Sequence, residues 1–308
     1  MSSSPHAVSV TEVQRTATVA VIIPVYNGQL FLRRAMESVF AQTHPATEIL
    51  VVDDGSTDGT REIVTTEYAG KATLIEQKNG GPAKARNAAL QVAQSEFIAF
   101  LDADDWWEPR KLEAQLEMMG RHPDTVMNYT GLHMVNEADG SSKDTLPLPI
   151  EKLWPALRWG NPAIPPASVM VRRWALEKVG GFNERQRGSE DWYLWYKLLE
   201  AGPFCLCNEP LTYYRVSSGG LSGDATLMFD DFMKMLDDTL LSGLSGLRRA
   251  IWRRRIISYQ AFKACLTARA VGDKVKERSY MMKSVMTWPS PFWSPERFKY
   301  FAVTLMRT

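Results

Sequence analysis

The sequence predicts an α/β protein built on a mainly parallel sheet with helices on both faces, followed by a helical extension. Short apolar runs rich in β-branched residues alternate with helical patterns, about 25 to 30 residues apart, over the first hundred residues. Turn residues, chiefly Asp, Asn and Gly, close these runs, and the strand-turn-helix units stop near residue 225.

Residues 1 to 17 are polar and rich in Ser and Thr, and read as a loose, flexible leader. VAVIIPV (19 to 25) suits a strand buried on both faces, ended by the Asn27-Gly28 turn before the helical stretch FLRRAMESVFAQ. EILVVDD (48 to 54) repeats the signal, followed by the turn GSTDGT and the helix REIVTTEY. ATLIEQ (72 to 77) and EFIAFLD (96 to 102) are the third and fourth strands, with the helix PAKARNAALQVA between them. From about 120 to 165 the periodicity fades and Pro and Gly accumulate, as in loops and short strands. ASVMVRR (167 to 173) reads as a strand and WALEKV as a short helix stopped by Gly180-Gly181. The helix DWYLWYKLLEA and the stretch FCLCNEPLTYYRV complete an expected sheet domain of residues 18 to 225, and residues 226 to 308 form the extension.

With 308 residues, 45% of them hydrophobic, the chain can bury a real core, which excludes disorder throughout. A net charge of +1 argues against a generic nucleic-acid binder. Cys205, Cys207 and Cys265 form no CxxC pair, so neither a disulfide framework nor a structural zinc site is expected. Reduced thiols, together with no signal peptide and no window near the ~18 apolar residues of a spanning helix, predict a cytoplasmic protein.

In sheets of this kind ligands bind beyond the carboxyl ends of the strands. There the first strand presents Pro24, Tyr26 and Asn27, the second Asp53 and Asp54, and the fourth Asp102, Ala103, Asp104 and Asp105. Asp in such places also serves turns and helix caps. Crowding argues for more, because these carboxylates repel one another unless a cation sits among them. Hard oxygen ligands suit Mg²⁺ or Mn²⁺, completed by water and by the phosphate oxygens of a diphosphate-bearing substrate.

A second acidic group stands in Gly188-Ser189-Glu190-Asp191-Trp192. With Ser189 as the N-cap, Asp191 falls in the first helical turn, above Trp195 and Leu198 on the apolar face. A carboxylate there also serves as a dipole and capping device. Partial burial beside Glu190, Trp192 and Trp195 would raise its proton affinity, as a general base for a hydroxyl requires, and aromatic faces suit sugar rings.

VIIPVYNG, EILVVDDGSTDGT, NGGPAKARNAAL, FLDADD, VGGFNE and SEDWYLWYKLL occur here in the order found in family-2 glycosyltransferases, which the chain resembles from about Val19 to Ser222. The resemblance implies the GT-A fold and an inverting transfer from a nucleoside-diphosphate sugar, by default a UDP-sugar, to an acceptor hydroxyl. It assigns Pro24, Tyr26, Asn27 and Asp54 to the base and ribose, and Lys84, Arg86 and Asn87 to the nucleotide or its diphosphate. Asp102, Ala103 and Asp104 match the Asp-X-Asp element, Asp104 as metal ligand and Asp102 nearer the ribose. Asp191 matches the catalytic base, Glu190 an acceptor-side partner, and Trp192 and Trp195 lie on the acceptor side. One departure stands out: family members often place a metal-binding His two residues after the Arg of Tyr214-Arg215, where this chain has Ser217. His6, His44, His122 and His133 fall outside the motifs and read as incidental.

Residues 246 to 308 hold fourteen Lys or Arg against three acids, a net of +11, so the first 245 residues carry −10. Trp252, Trp288, Phe292, Trp293, Phe298, Tyr300 and Phe301 interleave with these cations, as in helices that lie on anionic membrane surfaces. The alternative is a solvated extension packed on the catalytic domain; no nucleic-acid motif is present. Docking of this kind would put the protein on the cytoplasmic face of a membrane, beside a glycan or lipid-linked glycan acceptor, in cell-surface polysaccharide synthesis. Two rival functions stand beside this one. A sugar-phosphate nucleotidyltransferase would want a Gly-rich, Arg-containing loop directly after the first strand, which Tyr26-Asn27-Gly28-Gln29 is not. A non-catalytic nucleotide-sugar binder or scaffold would fit Ser217, though Asp102, Asp104 and Asp191 are all in place.

Overall fold

The computed structural model describes residues 17–153, 164–216, 223–289, 297 and 299–301. Residues 1–16 of the leader, Ser217, Phe292, Trp293 and Phe298 lie outside the described residues.

Strand β1 (Val19–Val25) is apolar throughout and buried at every position but Pro24, which is half-buried. Helix α1 (Leu32–Phe40) follows, and its Leu32, Ala35, Met36 and Val39 recur at helical spacing on the buried face. β2 (Glu48–Asp53), α2 (Thr60–Glu67), β3 (Thr73–Glu76), α3 (Pro82–Leu90) and β4 (Phe97–Phe100) complete the alternation. β1 pairs in parallel with β2 on one side and β4 on the other, and β3 lies outside β2. The chain thus winds outward from β1 to β3 and returns to the far side of β1, which places a topological switch point between β1 and β4.

Beyond β4 come β5 (Trp106–Trp107), α4 (Lys111–Arg121), β6 (Met127–Asn136), β7 (Ser142–Thr145), β8 (Val169–Arg172), α5 (Arg173–Val179), α6 (Glu190–Ala201) and β9 (Phe204–Val216). Among the described residues one nine-stranded sheet runs β3-β2-β1-β4-β8-β6-β9-β5, with β7 on β6. β8 is antiparallel to both β4 and β6, so the sheet is parallel only over its first four strands and mixed thereafter. Val19, Val21, Ile23 and Val25 of β1 share a core with α1, with Trp107 and with Leu112 and Leu116 of α4.

The chain forms two compact units. The first comprises Met1–Lys152, Ala163–Glu184 and Leu194–Val216; the second comprises Leu153–Pro162, Arg185–Tyr193 and Ser217–Thr308. The sequence places one boundary near 225, whereas the helical unit also takes in the short segment around Glu190. Its helices are α7 (Ala225–Met235), α8 (Gly246–Ala270) and α9 (Lys274–Thr287). Their core joins Phe229, Ala261, Cys265, Ala268, Tyr280 and Met281, and Tyr300 and Phe301 pack against it. Arg297 is buried there, donating from Nη2 to the Trp288 carbonyl at 2.7 Å and from Nη1 to the Ser258 hydroxyl. Several aromatics of the extension thus build its own core rather than an outer face. Among the described residues no helix is long and apolar enough to cross a membrane.

Candidate active site

The loops after β1 and β2 are laced together. Asn27 adopts φ 52°, a left-handed conformation that Asn tolerates better than most residues. Its Oδ1 accepts from the Thr57 amide at 2.8 Å, and its own amide donates to Ser56 Oγ at 2.9 Å. The Gly28 and Gln29 amides donate to Thr60 Oγ1 (2.9 Å) and Asp58 Oδ2 (3.1 Å), and the Gly59 amide donates back to Gln29 Oε1 (2.9 Å). Only Gly fits at position 28, since a Cβ would stand 2.4 Å from Val25 Cγ2. Tyr26 lies outside this lacing with 54% of its surface exposed.

Asp53 and Asp54, both buried, hold backbone. Asp53 accepts from the Ser56 amide (2.9 Å) and from Arg61. Asp54 Oδ1 accepts from Gln77 Nε2 (2.7 Å) and the Gly80 amide (2.8 Å), and Oδ2 accepts from the Gly81 amide (2.8 Å). A carboxylate offers about four lone-pair sites, so Asp54 keeps one for a further donor. These bonds fix the loop that opens α3, where Lys84 is exposed and Arg86 buried. Arg86 Nη2 donates to Asp102 Oδ1 at 2.6 Å, so it reaches the Asp-X-Asp element rather than open solvent. Asn87 holds backbone as well: Nδ2 donates to the Phe182 carbonyl (2.9 Å) and Glu184 Oε1 (3.0 Å), while Oδ1 accepts from the Phe182 amide (2.9 Å). Both of its donors and one acceptor site thus clamp the Gly180-Gly181-Phe182 turn.

Beyond β4, Asp102, Asp104 and Asp105 face two arginines. Arg215 Nη2 donates to Asp104 Oδ2 (2.7 Å), its Nη1 pairs with Glu137 (2.7 Å), and its amide donates to Asp105 Oδ1 (2.9 Å). Burial and the charge of Asp102 push the Asp104 carboxyl above the ordinary range, against the pull of Arg215. Burial pushes Asp105 well above it, and Asp105 Oδ2 has no hydrogen-bond partner among the described residues. No group of three or more His, Cys, Asp or Glu among the described residues forms a ready-made metal cage. Asp102 and Asp104 nevertheless each keep an oxygen outside these hydrogen bonds, and the adjacent Asp105 adds a buried oxygen without one. That donor set fits a hard cation whose remaining ligands come from phosphate and water.

Glu190 and Asp191 open α6 and belong to the second unit. Glu190 is buried and Asp191 half-buried, with Oδ1 accepting from the Trp192 amide at 2.8 Å. The Ser189 carbonyl accepts from the Tyr193 amide at 3.1 Å, the bond expected of an N-cap residue, and its hydroxyl donates to Gln186 Oε1 at 2.9 Å. Trp195 corrects the acceptor-side expectation. It has no exposed surface and donates Nε1–H to the Ile164 carbonyl at 3.0 Å, so its ring is core and offers no face to a sugar. Trp192 remains half-buried.

The family model described as Glycosyl transferase family 2 matches residues 20–180, more than half of the chain. The chain belongs to glycosyl transferase family 2. It is 35% identical over 211 residues to the putative teichuronic acid biosynthesis glycosyltransferase TuaG of Bacillus subtilis, covering 67% of this chain and 82% of that one. An uncharacterized glycosyltransferase of Rickettsia felis is 34% identical over 195 residues, 60% of this chain, and this chain spans only 32% of its length. Among solved structures, S. aureus TarS 1-349 in complex with UDP-GlcNAc aligns with a TM-score of 0.59 at 21% identity, over 87% of this chain and 81% of that one. The mannosyltransferase PcManGT of Pyrobaculum calidifontis, in complex with GDP-Man and Mn²⁺, aligns at 0.57 and 19%, over 95% and 87%. The fold is GT-A.

In this family-2 glycosyltransferase the sequence motifs pick out Asp102 and Asp54 together with the Arg86, Gly80 and Gly81 that hold them, and Asp104 without its partner. Arg215 is the main omission, though it stands in the quoted Tyr214-Arg215 pair. His133 is not incidental to packing: it stacks on Tyr213 (4.4 Å), which stacks on Trp106 (4.9 Å), with the Arg34 guanidinium 3.2 Å from the Trp106 ring centre. Tyr213 donates to Glu108 Oε1 at 2.5 Å, and this bond, with burial, pushes its hydroxyl up to about 12.

Proposed function

We propose that the protein is an inverting glycosyltransferase that moves a sugar from a nucleoside-diphosphate donor to an acceptor hydroxyl of a surface polysaccharide or its lipid-linked precursor. The observation that carries this reading is the Asp102-Ala103-Asp104-Asp105 cluster beyond β4, flanked by Arg86 and Arg215 and still holding unused carboxylate oxygens. The laced loops, with Pro24, Tyr26, Asn27 and the remaining acceptor site of Asp54, receive the base and ribose, and exposed Lys84 receives the diphosphate. Asp104, with Asp102, would hold Mn²⁺ or Mg²⁺, which supplies Lewis-acid stabilisation of the departing diphosphate when bound. Asp191 takes the proton of the acceptor hydroxyl, and Glu190 orients that acceptor. The freed oxygen attacks the anomeric carbon opposite the leaving group, so a single displacement inverts the configuration. The UDP-GlcNAc complex of TarS and the GDP-Man and Mn²⁺ complex of PcManGT support a nucleotide-sugar donor and a divalent cation, with UDP the first choice. The name of TuaG supports a polysaccharide product. Calorimetry of UDP, GDP and dTDP with and without Mn²⁺ and Mg²⁺ tests the reading; one nucleotide bound at least tenfold more tightly with metal is expected, and no metal-enhanced binding of any of them overturns it.

A second reading, peripheral docking on an anionic membrane, is favoured by the outer surface of α8 and α9. Leu247 and Ile251 on α8, and Val275, Met282 and Met286 on α9, are exposed at helical spacing, Val275 to 80%. Arg248, Arg254, Lys276 and Lys283 are exposed beside them, while Glu277 is buried against Arg269. The apolar contacts there are aliphatic rather than the aromatic ones expected.

A further inference from the structure

The segment that carries Glu190 and Asp191 is bracketed by side chains from the C-terminal helices of its own unit. On its N-terminal side, fully buried Asp231 of α7 directs Oδ2 at two backbone amides, those of Arg187 and of Gly188, the latter at 2.8 Å. Its Oδ1 accepts from Lys234 Nζ at 2.6 Å. α7 also closes on Gly188, where a Cβ would stand 3.0 Å from the Met228 sulfur and 3.3 Å from Leu227. On its C-terminal side, Trp192 meets Phe232 edge-on at 6.2 Å, and Lys263 Nζ of α8 lies 5.0 Å from a Trp192 ring centre. Residue 191 therefore sits between a pinned backbone and a pinned ring.

The amides of Arg187 and Gly188 precede α6 and receive no helical carbonyl, so a carboxylate that takes both is a strong restraint. Resting on the assignment of Asp191 as the base, we propose that Asp231 is the positioning residue that sets where the Asp191 carboxylate stands. It touches no reacting atom; it fixes the backbone from which the base projects. A displacement of about 1 Å at a reacting group costs on the order of a hundredfold in rate, which is the scale of effect open to such a residue.

The test uses the full chain with Asp231→Ala, Asp231→Asn and Asp191→Asn. Release of UDP from UDP-N-acetylglucosamine and UDP-glucose gives kcat and the donor KM. Calorimetric UDP stoichiometry counts folded sites, and amide exchange follows the peptide spanning 185 to 193. Asp231→Ala should lower kcat about tenfold to a hundredfold, with donor KM within about threefold and UDP stoichiometry unchanged, and should speed exchange in that peptide about tenfold or more. Asp231→Asn, which keeps one oxygen for the two amides, should recover kcat to within about fivefold of wild type. Full kcat in Asp231→Ala, unchanged exchange, or a kcat loss merely proportional to lost UDP stoichiometry would each overturn the proposal. Wild-type turnover in Asp191→Asn would remove the base assignment itself, whereas an inactive Asp191→Asn beside a fully active Asp231→Ala sinks only the role of Asp231.

Discussion

In the first unit the acidic residues are held from within the sheet and its loops: Asp53 and Asp54 hold turns that follow β2 and β3, Asp102 meets Arg86 of the preceding helix, and Asp104 and Asp105 meet Arg215 of β9. In the second unit Glu190 and Asp191 sit on a segment whose anchors, Asp231, Phe232 and Lys263, come from 40 to 75 residues later in the chain. Partners within the same unit hold the Asp-X-Asp cluster. On the proposed roles Asp191 depends instead on the C-terminal helices, so damage to the extension should reach turnover before it reaches nucleotide binding.

The sharpest break of that comparison is Asp191→Asn. Loss of the base should cut turnover about a thousandfold or more, while UDP affinity by calorimetry stays within about twofold. Equal loss of both would merge the two regions into one. Next in size is Asp54→Ala, which strips the acceptor from the Gly80 and Gly81 amides and from Gln77; roughly 3 kcal/mol of stability should go, read by denaturant titration, with about tenfold weaker UDP binding.

Lys263 probes the second unit through pH. Burial lowers its ammonium to about 8, from an ordinary 10.5. The unfolded chain therefore holds that proton more tightly, so the cost of burial is fully present below pH 8 and fades as pH rises toward 10.5. One pKa unit is about 1.4 kcal/mol, so the cost is of order 3 kcal/mol, offset by about 1 from the Trp192 ring. Lys263→Met should thus stabilise the protein by about 2 kcal/mol at pH 7, with the advantage shrinking above pH 8 in denaturant titrations. A constant difference at all pH values would contradict the burial of that charge. The smallest effect belongs to the outer face of the helices. Arg254→Glu should reduce flotation with phosphatidylserine vesicles by roughly fivefold to thirtyfold, at about 1 kcal/mol per unit of charge, and leave neutral vesicles unaffected. Identical flotation of variant and wild type on both would remove the membrane reading.

β1, β2 and β4 were legible because strands buried on both faces read as unbroken apolar runs. β5 was not, being two tryptophans long, nor β6, whose MNYTGLHMVN buries Asn128 and Thr130. Those polar groups are tolerated because Gln115 donates to Asn128 and Thr212 pairs with Thr130, partners no local period reveals. The same limit applies to the site. Asp102, Asp104 and Asp191 stand out by crowding and position, but an Asp at 231 in an amphipathic helix looks like any solvated acid. Trp195 shows the converse, a residue whose chemistry suits a ligand and whose neighbours have already claimed it.

The lacing of the two nucleotide-side loops also constrains how this enzyme can diverge. Asn27 and Gln29 each accept through a side-chain oxygen from a backbone amide thirty positions away, that of Thr57 and of Gly59, so altering either strands a donor on the other loop. These two positions are therefore held to side chains that offer an acceptor, whereas Tyr26, outside the lacing, can vary alone. Drift in nucleotide preference should leave its earliest traces there.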